Sequence, residues 1–249
     1  MEQRCRRVRS RRRSSAGLAL VQEAHRFFDE HLKGIDTGLA QAPPIRYATV
    51  SDIDDPAGPI IWREAQSWPP TDSGLTDFPL GGDRGLGSRA PGTREFTVNT
   101  AVECPEAGSG ATVQPCHTAG EGISYTTDPL THDTEVTGTP VADLTIRVDR
   151  SAASLRAESP APYKLPDAVP YHRSFREDAQ PLIPGQAVRM RFDILPLSYV
   201  FRAGHRMQIT VTGYDHRESI PLPDAHGSTV EVVSDPAQPS LIRLPVVTS

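Results

Sequence analysis

The chain has 249 residues, of which 23% are charged, and a formal net charge of −5. This acidic balance gives no reason to expect a nucleic-acid partner, and no stretch of about 18 apolar residues is present to cross a bilayer. The 24 prolines and 19 glycines favour short strands joined by long loops, so the composition predicts an all-β protein. We expect a soluble chain whose location the sequence leaves open, with the cytoplasm as the default because no signal peptide or transmembrane segment is recognised.

The amino end is strongly basic although the whole chain is acidic. It holds seven arginines: Arg4, Arg6, Arg7, Arg9, Arg11, Arg12 and Arg13. Three interpretations are open, namely a basic arm for nucleic acid or a phospholipid surface, a twin-arginine export signal, and a solvated tail. The export signal is disfavoured, since only about six apolar positions follow, fewer than its apolar region requires. Charge runs of this kind are usually solvated, and we expect residues 1–20 to be a basic, disordered start.

One helix is predicted, near the start of the chain. Its apolar residues recur at spacings of three and four, and Gly34 ends the run; they are Leu20, Ala24, Phe27, Phe28, His31 and Leu32. We place this helix within residues 21–40 and expect residues 41–249 to form one sheet-rich domain.

Alternating apolar residues predict strands over much of that domain: Ile45–Val50, Ile60–Trp68, Gly122–Thr127, Val141–Val148, Val188–Ile194, Leu197–Phe201, Met207–Val211, Thr229–Val233 and Leu241–Val247. The segments 71–92 and 151–184 are rich in Gly, Pro, Asp and Ser and are predicted as loops. Pro245 predicts an edge position for the last strand. Strands at this spacing are typical of a two-sheet β-sandwich or jelly roll.

The common catalytic signatures are missing from the sequence. There is no G-x-S-x-G elbow, and the nearest approach, around Ser124, lies inside a strand pattern, so Ser124 is predicted to be structural. Cys5, Cys104 and Cys116 are an odd number, which favours free thiols, although a Cys104–Cys116 bridge is conceivable. A Cys116–His117 nucleophile-base pair is disfavoured, because adjacent side chains on an extended segment point to opposite faces.

The eight histidines show no ligand spacing, so we predict no metal site and no cofactor. Three carboxylate–histidine neighbours, His132-Asp133, Asp215-His216 and Asp224–His226, lie in polar loops and are expected to be solvated. His205 is less easily placed, because its AGHR segment separates two alternating strands. Gly204 suits a turn there, and we predict that His205 is scaffold whose imidazole bonds neighbouring backbone, rather than part of an active site.

Five segments, taken in order, resemble the carboxy-terminal part of the cocaine esterase-like, or CocE/NonD, hydrolases: residues 25–50, 62–70, 122–146, 181–213 and 236–247. The runs WREAQSWPP, GISYTTDPL, SYVFRAGHR and PSLIRLPVV carry the resemblance. In that family this part is a jelly roll, also called the X-prolyl dipeptidyl-peptidase C-terminal domain. The resemblance implies a galactose-binding-like jelly roll over residues 41–249, preceded by a linker helix that belongs with an α/β-hydrolase domain.

The resemblance also implies two departures from the family. No residue of this chain matches the family's Ser-Asp-His triad, which we expect to lie in a hydrolase domain that precedes this region. After Val141–Val148 the family continues through a further strand pair, whereas here Asp149 and Arg150 pass almost directly to Ser154–Ser159. We therefore expect a missing strand pair, which would open a sheet edge.

Three functions from different classes are then open. The first is an accessory C-terminal domain of a serine hydrolase, inactive alone, whose partner is the α/β-hydrolase domain. It predicts an exposed apolar surface that involves Phe27, Phe28, Trp62 and Trp68, and self-association of the lone chain. The second is a free-standing carbohydrate- or ligand-binding β-sandwich, and the third is an autonomous enzyme that uses Ser124 or Cys116.

Overall fold

The structure, a computed structural model, describes residues 15–51, 60–100, 122–150, 182–213 and 226–248. These ranges hold one α-helix, one short 3-10 helix and twelve strands, so the predicted all-β fold with one helix is confirmed. The helices are α1 (Ser15–Lys33) and a 3-10 turn (Leu39–Gln41). The strands are β1 (Ile45–Val50), β2 (Ile60–Ala65), β3 (Ser73–Pro79), β4 (Gly92–Thr97), β5 (Gly122–Thr126), β6 (Thr134–Gly138), β7 (Val141–Val148), β8 (Val188–Asp193), β9 (Leu197–Phe201), β10 (Gln208–Thr212), β11 (Thr229–Ser234) and β12 (Leu241–Val247).

Ten of these strands are hydrogen-bonded in one branched sheet. Its main path runs β2-β1-β9-β6-β12-β7-β11-β4, with β3 beside β12 and β8 beside β7. β1 and β9 are parallel, and the other described pairs are antiparallel. β5 and β10 form a separate pair, and buried side chains from both sheets meet in one hydrophobic core. β2 is therefore the last strand at one end of the main path.

The core follows from the period-two pattern of the central strands. On β5, Ile123 and Tyr125 are each 1% exposed, and burial raises the pKa of the Tyr125 phenol to about 12. On β7 the predicted apolar face is buried, and Asp143 is buried as well, between Arg189 and Arg243 at 2.5 and 3.6 Å.

The predicted loop over residues 71–92 is wrong in its first part, because Ser73–Pro79 is strand β3. It pairs with β12 along its whole length, from Ser73 opposite Val247 to Pro79 opposite Leu241. Four consecutive residues of β3 are exposed, so its sequence has no apolar alternation to reveal it. The long edge of β12 imposes the strand, a case in which tertiary context overrides local preference. β4 and β6 were not predicted either, and β2 ends at Ala65 rather than Trp68.

The edge position predicted from Pro245 is also wrong. β12 lies inside the sheet, with β3 along one edge and both β7 and β6 along the other. On that second edge Arg243 is the last residue paired with β7, and Val246 is paired with β6. Pro245 therefore falls between two ladders, where a strand tolerates the missing N–H.

Helix α1 is confirmed, and it begins at Ser15, six residues before the predicted linker. Gly34 ends it with a left-handed φ of 66°, and the amides of Gly34 and Ile35 donate to the carbonyls of Glu30 and Asp29. No helix among the described residues is long and apolar enough to cross a membrane.

Gly138 offers a test of the packing around Pro245. It has a φ of 143°, and a Cβ there would lie 2.7 Å from Cβ of Pro245 and 3.0 Å from Cβ of Pro69. Gly138→Ala should therefore lower the free energy of unfolding by about 2–4 kcal/mol in urea titrations. Gly74→Ala, where no atom lies within 4 Å of the added carbon, is the control. Equal effects of the two substitutions would contradict this packing.

Candidate functional site: an open apolar face of the sheet

Ser124 lies on β5 directly opposite Thr210 of β10. Their hydroxyl oxygens are 2.9 Å apart, so the Ser124 hydroxyl is paired with another hydroxyl across the strands rather than with an imidazole. A serine nucleophile needs a base that takes its proton. The geometry of the described residues gives Ser124 a cross-strand partner and no such base.

Asp133 does not orient its neighbour His132. Its two carboxylate oxygens accept from Nη1 of Arg202, at 2.6 Å, and from the backbone N–H of Ala203, at 2.8 Å. The His132 ring instead lies 3.0 Å from the Thr131 hydroxyl. Asp133 thus holds the turn after β9 in place as a clamp, and Asp133 and His132 do not form a catalytic dyad.

That turn is the AGHR segment, and its conformation is held by backbone contacts. Gly204 has a left-handed φ of 80°, and the backbones of Gly204 and His205 exchange two 2.8 Å hydrogen bonds with Leu130. The His205 side chain is exposed, and the expected hydrogen bond from its imidazole to backbone is not found among the described residues. The scaffold role predicted for His205 therefore rests on its backbone.

Of the remaining candidates, His226 alone lies within the described residues. The Nδ1 atom of His226 accepts from the Thr100 amide at 3.2 Å. Asp224 and the pair Asp215-His216 lie outside the described residues, as do Cys5, Cys104, Cys116, His117 and the arginine-rich start. No group of three or more His, Cys, Asp or Glu in the described ranges is placed to hold a metal ion.

A different feature stands out, namely one face of strands β6, β9, β1 and β2. Val136, Tyr199, Val50 and Ile60 lie opposite one another across these four strands. Because side chains alternate along a strand, Leu197, Phe201 and Trp62 share this face. We call its outer part the open face: Leu197, Tyr199, Phe201, Val50, Ile60 and Trp62.

The open face continues the core into solvent. Val136 is 1% exposed, whereas Trp62 on the terminal strand is 38% exposed and the residues between them are half-buried. A groove of about 550 Å³ lies at its β9 side, between the end of β1 and the AGHR turn; its lining residues are Val50, Leu197, Ser198, Tyr199, Phe201, His205 and Arg206. The Tyr199 and Phe201 rings stand 4.8 Å apart at its floor. Uncovered apolar surface that continues a core is typical of an interface.

Helix α1 flanks the open face and carries its own exposed apolar side chains, Val21, Phe27, Phe28 and Leu32, and Ile35 just after the helix is exposed as well. Arg46 connects the two elements, because its guanidinium pairs with Glu23 of α1 and lies 4.9 Å over the Trp62 ring. The helix also anchors the chain that follows it. The Glu30 carboxylate accepts from the Thr37 hydroxyl at 2.5 Å and the Leu39 amide at 3.0 Å, and these bonds lower the pKa of Glu30.

The opposite face of the same strands is closed. Arg63 makes a bidentate pair with Glu135 at 2.9 and 2.8 Å, and the hydroxyls of Thr49, Ser198 and Thr137 form a 2.8 Å chain beside it. Thr49 and Thr137 are 1% and 0% exposed. A satisfied network of this kind holds strands together without offering free donors.

Trp68 belongs to this closed face, so its predicted place on the apolar surface is wrong. Its ring packs edge-on against Tyr47 at 5.5 Å, and its Nε1 donates to the Thr139 hydroxyl at 3.1 Å. Phe27, Phe28 and Trp62 are exposed as predicted. Sequence reasoning missed the groove, since alternation reveals an apolar row but not whether another element covers it.

The chain matches the profile of the X-Pro dipeptidyl-peptidase C-terminal non-catalytic domain over residues 37–158 and 169–242. A putative serine esterase of Mycobacterium bovis is 32% identical in an alignment 266 positions long, gaps included, that covers 90% of this chain and 41% of the esterase. The cocaine esterase of Rhodococcus sp. is 27% identical, and the match covers 91% of this chain and 46% of that protein. The chain thus spans less than half the length of these relatives.

Solved structures share the fold. An aminopeptidase from a marine sediment Thaumarchaeota archaeon superposes with a TM-score of 0.58 at 18% identity, over 94% of this chain and 45% of the aminopeptidase. An α-amino acid ester hydrolase superposes with a TM-score of 0.59 at 21% identity, over 90% of this chain and 44% of the hydrolase.

The clamp on the AGHR turn has a pH signature. The Ala203 N–H and then Arg202 lower the pKa of Asp133, so the charged clamp stabilises the fold above about pH 4 and is lost as the pH falls through that lowered pKa. Asp133→Asn should lower the melting temperature at neutral pH. The difference in melting temperature between this variant and the unsubstituted chain should become smaller below about pH 4. Glu95→Gln, which removes an exposed charge on β4, is the control. A gap that widens below pH 4 would contradict the clamp.

Proposed function

The chain belongs to the X-Pro dipeptidyl-peptidase C-terminal non-catalytic domain family, and we propose that it is the accessory C-terminal domain of a CocE/NonD-type serine hydrolase. Its role is to pack against an α/β-hydrolase domain that carries the catalytic residues. The open face and the apolar side of α1 form the docking surface. We propose in addition that the strands follow the order of a jelly roll, and that the chain divides at residues 20 and 40 into a basic start, a linker helix and the jelly-roll domain.

The lengths of the relatives support this role. The matched part of the M. bovis and Rhodococcus proteins is less than half of each, and both are named as esterases. The family profile begins at residue 37, after the helix that ends at Lys33. In this proposal α1 therefore connects the two domains and packs against the hydrolase domain.

One observation carries the proposal, namely the row of residues that leaves the core and ends at Trp62, which is 38% exposed and has no described element over it. Phe28 and Leu32 of α1 are also exposed, at 52% and 76%, and α1 is tied to Trp62 through Glu23 and Arg46. Interfaces are enriched in aromatic anchors and arginine, and Arg46 stacked on Trp62 matches that composition. The carbohydrate-binding alternative has no comparable support among the described residues.

Trp62 tests the docking surface in a chimera in which this chain replaces the matching part of the M. bovis esterase. We expect the chimera to unfold in one calorimetric transition, because docked domains with a large apolar interface unfold together. Trp62→Gln should split that transition in two, since it places a polar amide in the apolar contact.

Leu75→Gln is the matched control, because Leu75 is 54% exposed on β3, away from the open face. It should leave a single transition. Two independent transitions in the unsubstituted chimera would count against the docking role itself.

A second prediction concerns activity of the lone chain. Hydrolysis by a serine enzyme needs a nucleophile, a base and oxyanion donors, and Ser124 is paired with Thr210. The purified chain should neither hydrolyse p-nitrophenyl acetate or an X-Pro-nitroanilide above buffer nor be labelled by a fluorophosphonate. Stoichiometric labelling that Ser124→Ala abolishes would support the autonomous-enzyme alternative instead.

A further inference from the structure

We propose that the groove of the open face receives a segment of the hydrolase domain in which an apolar side chain is flanked by a carboxylate, and that Arg206 pairs with that carboxylate. This inference rests on the proposed docking role and specifies the chemistry of the partner. The apolar side chain lies between Val50 and Leu197, over the Tyr199 and Phe201 rings.

The apolar half of the inference comes from the groove's shape and position. Its volume of about 550 Å³ is enough for one or two large side chains, and Tyr199 and Phe201 form its floor. It is continuous with exposed Trp62 through Val50, which is paired with β2 on one side and β9 on the other. A partner that covers Trp62 and α1 therefore reaches the groove as part of one interface.

The charged half comes from Arg206 at the groove's rim. Its Nη1 donates to the Thr127 carbonyl at 2.6 Å, which fixes the guanidinium in place. Its described carboxylate neighbour is Asp128, 3.7 Å away and fully exposed, so that pair is weak and screened by water. Nearby Arg202, by contrast, is already paired with Asp133 at 2.6 Å.

Docking would make the hydration of the Arg206 guanidinium less favourable. A partner seated over the groove removes water from the guanidinium, and a buried cation without a counter-charge is strongly destabilising. A carboxylate from the partner meets that requirement, and arginine is the cation that best suits such a pair because its fork of donors matches the two oxygens. Tyr and Arg are also among the residue types that dominate binding energy at interfaces, and Phe is enriched there.

Carbodiimide coupling tests the contact directly in the M. bovis chimera. In Arg206→Lys, the amine should form an amide bond with any carboxylate it touches, and peptide mass spectrometry identifies the partner. Asp128→Asn is combined with it, so that the neighbouring acid cannot couple. We expect a cross-link to an Asp or Glu of the hydrolase part that has a large apolar residue within two positions.

Arg191→Lys is the control, because Arg191 is exposed on β8, away from the open face. It should give no cross-link to the hydrolase part. Arg206→Glu should abolish the single calorimetric transition of the chimera, whereas Arg191→Glu should preserve it.

The other outcomes are separable. Cross-links between two copies of the chimera would mean that a second copy, and not a hydrolase segment, occupies the groove, and would overturn the inference. A single transition that survives Arg206→Glu, with no cross-link from position 206, would overturn the groove contact and leave the docking role standing. Independent unfolding of the two parts in every variant would overturn both.

Discussion

Burial of one apolar row is the constraint on which the rest of this structure depends. Val136 is fully buried in the core, and the row continues through Tyr199 and Val50 to the terminal strand β2, where no described element covers it. Each buried large apolar side chain stabilises a fold by about 1.5–3 kcal/mol, so a row left half in water is a surface that gains free energy on being covered. Helix α1, which Arg46 links to this end of the row through Glu23 and Trp62, has exposed apolar residues of its own.

The two faces of strands β2, β1, β9 and β6 differ because their residues do. On the closed face the bidentate Arg63–Glu135 pair and buried Thr49 and Thr137 satisfy one another. A polar network needs complete partners to be tolerated in a core, and this one has them. Among the described residues the open face has no such network, and Arg206 lies at the rim of its groove. The closed face of these strands thus holds them together, whereas the open face is available for contact with a partner.

Much of the strand framework could be predicted from alternation alone. β1, β7 and β12 have the bounds that the pattern indicates, and Gly34 marks the end of α1. β3 could not be found this way, since Ser73–Pro79 owes its extended form to pairing with β12 and not to its own side chains. Exposure is equally hidden, because Trp62 and Trp68 lie only six positions apart yet reach opposite faces. Asp133 and His205 illustrate the same limit, since contacts with Ala203 and Leu130 decide their roles.

Hydrogen–deuterium exchange of the M. bovis chimera, compared with exchange of the isolated chain, tests the docking account most directly. Amide exchange slows where an interface restricts local opening, so the chimera reports the covered surface along the whole chain. The account predicts slower exchange in α1, in β1 and β2, and from β9 through Arg206, with β3 and β4 unchanged. Equal exchange of α1, β2 and β9 in the two proteins, or slower exchange confined to β3 and β4, would contradict it.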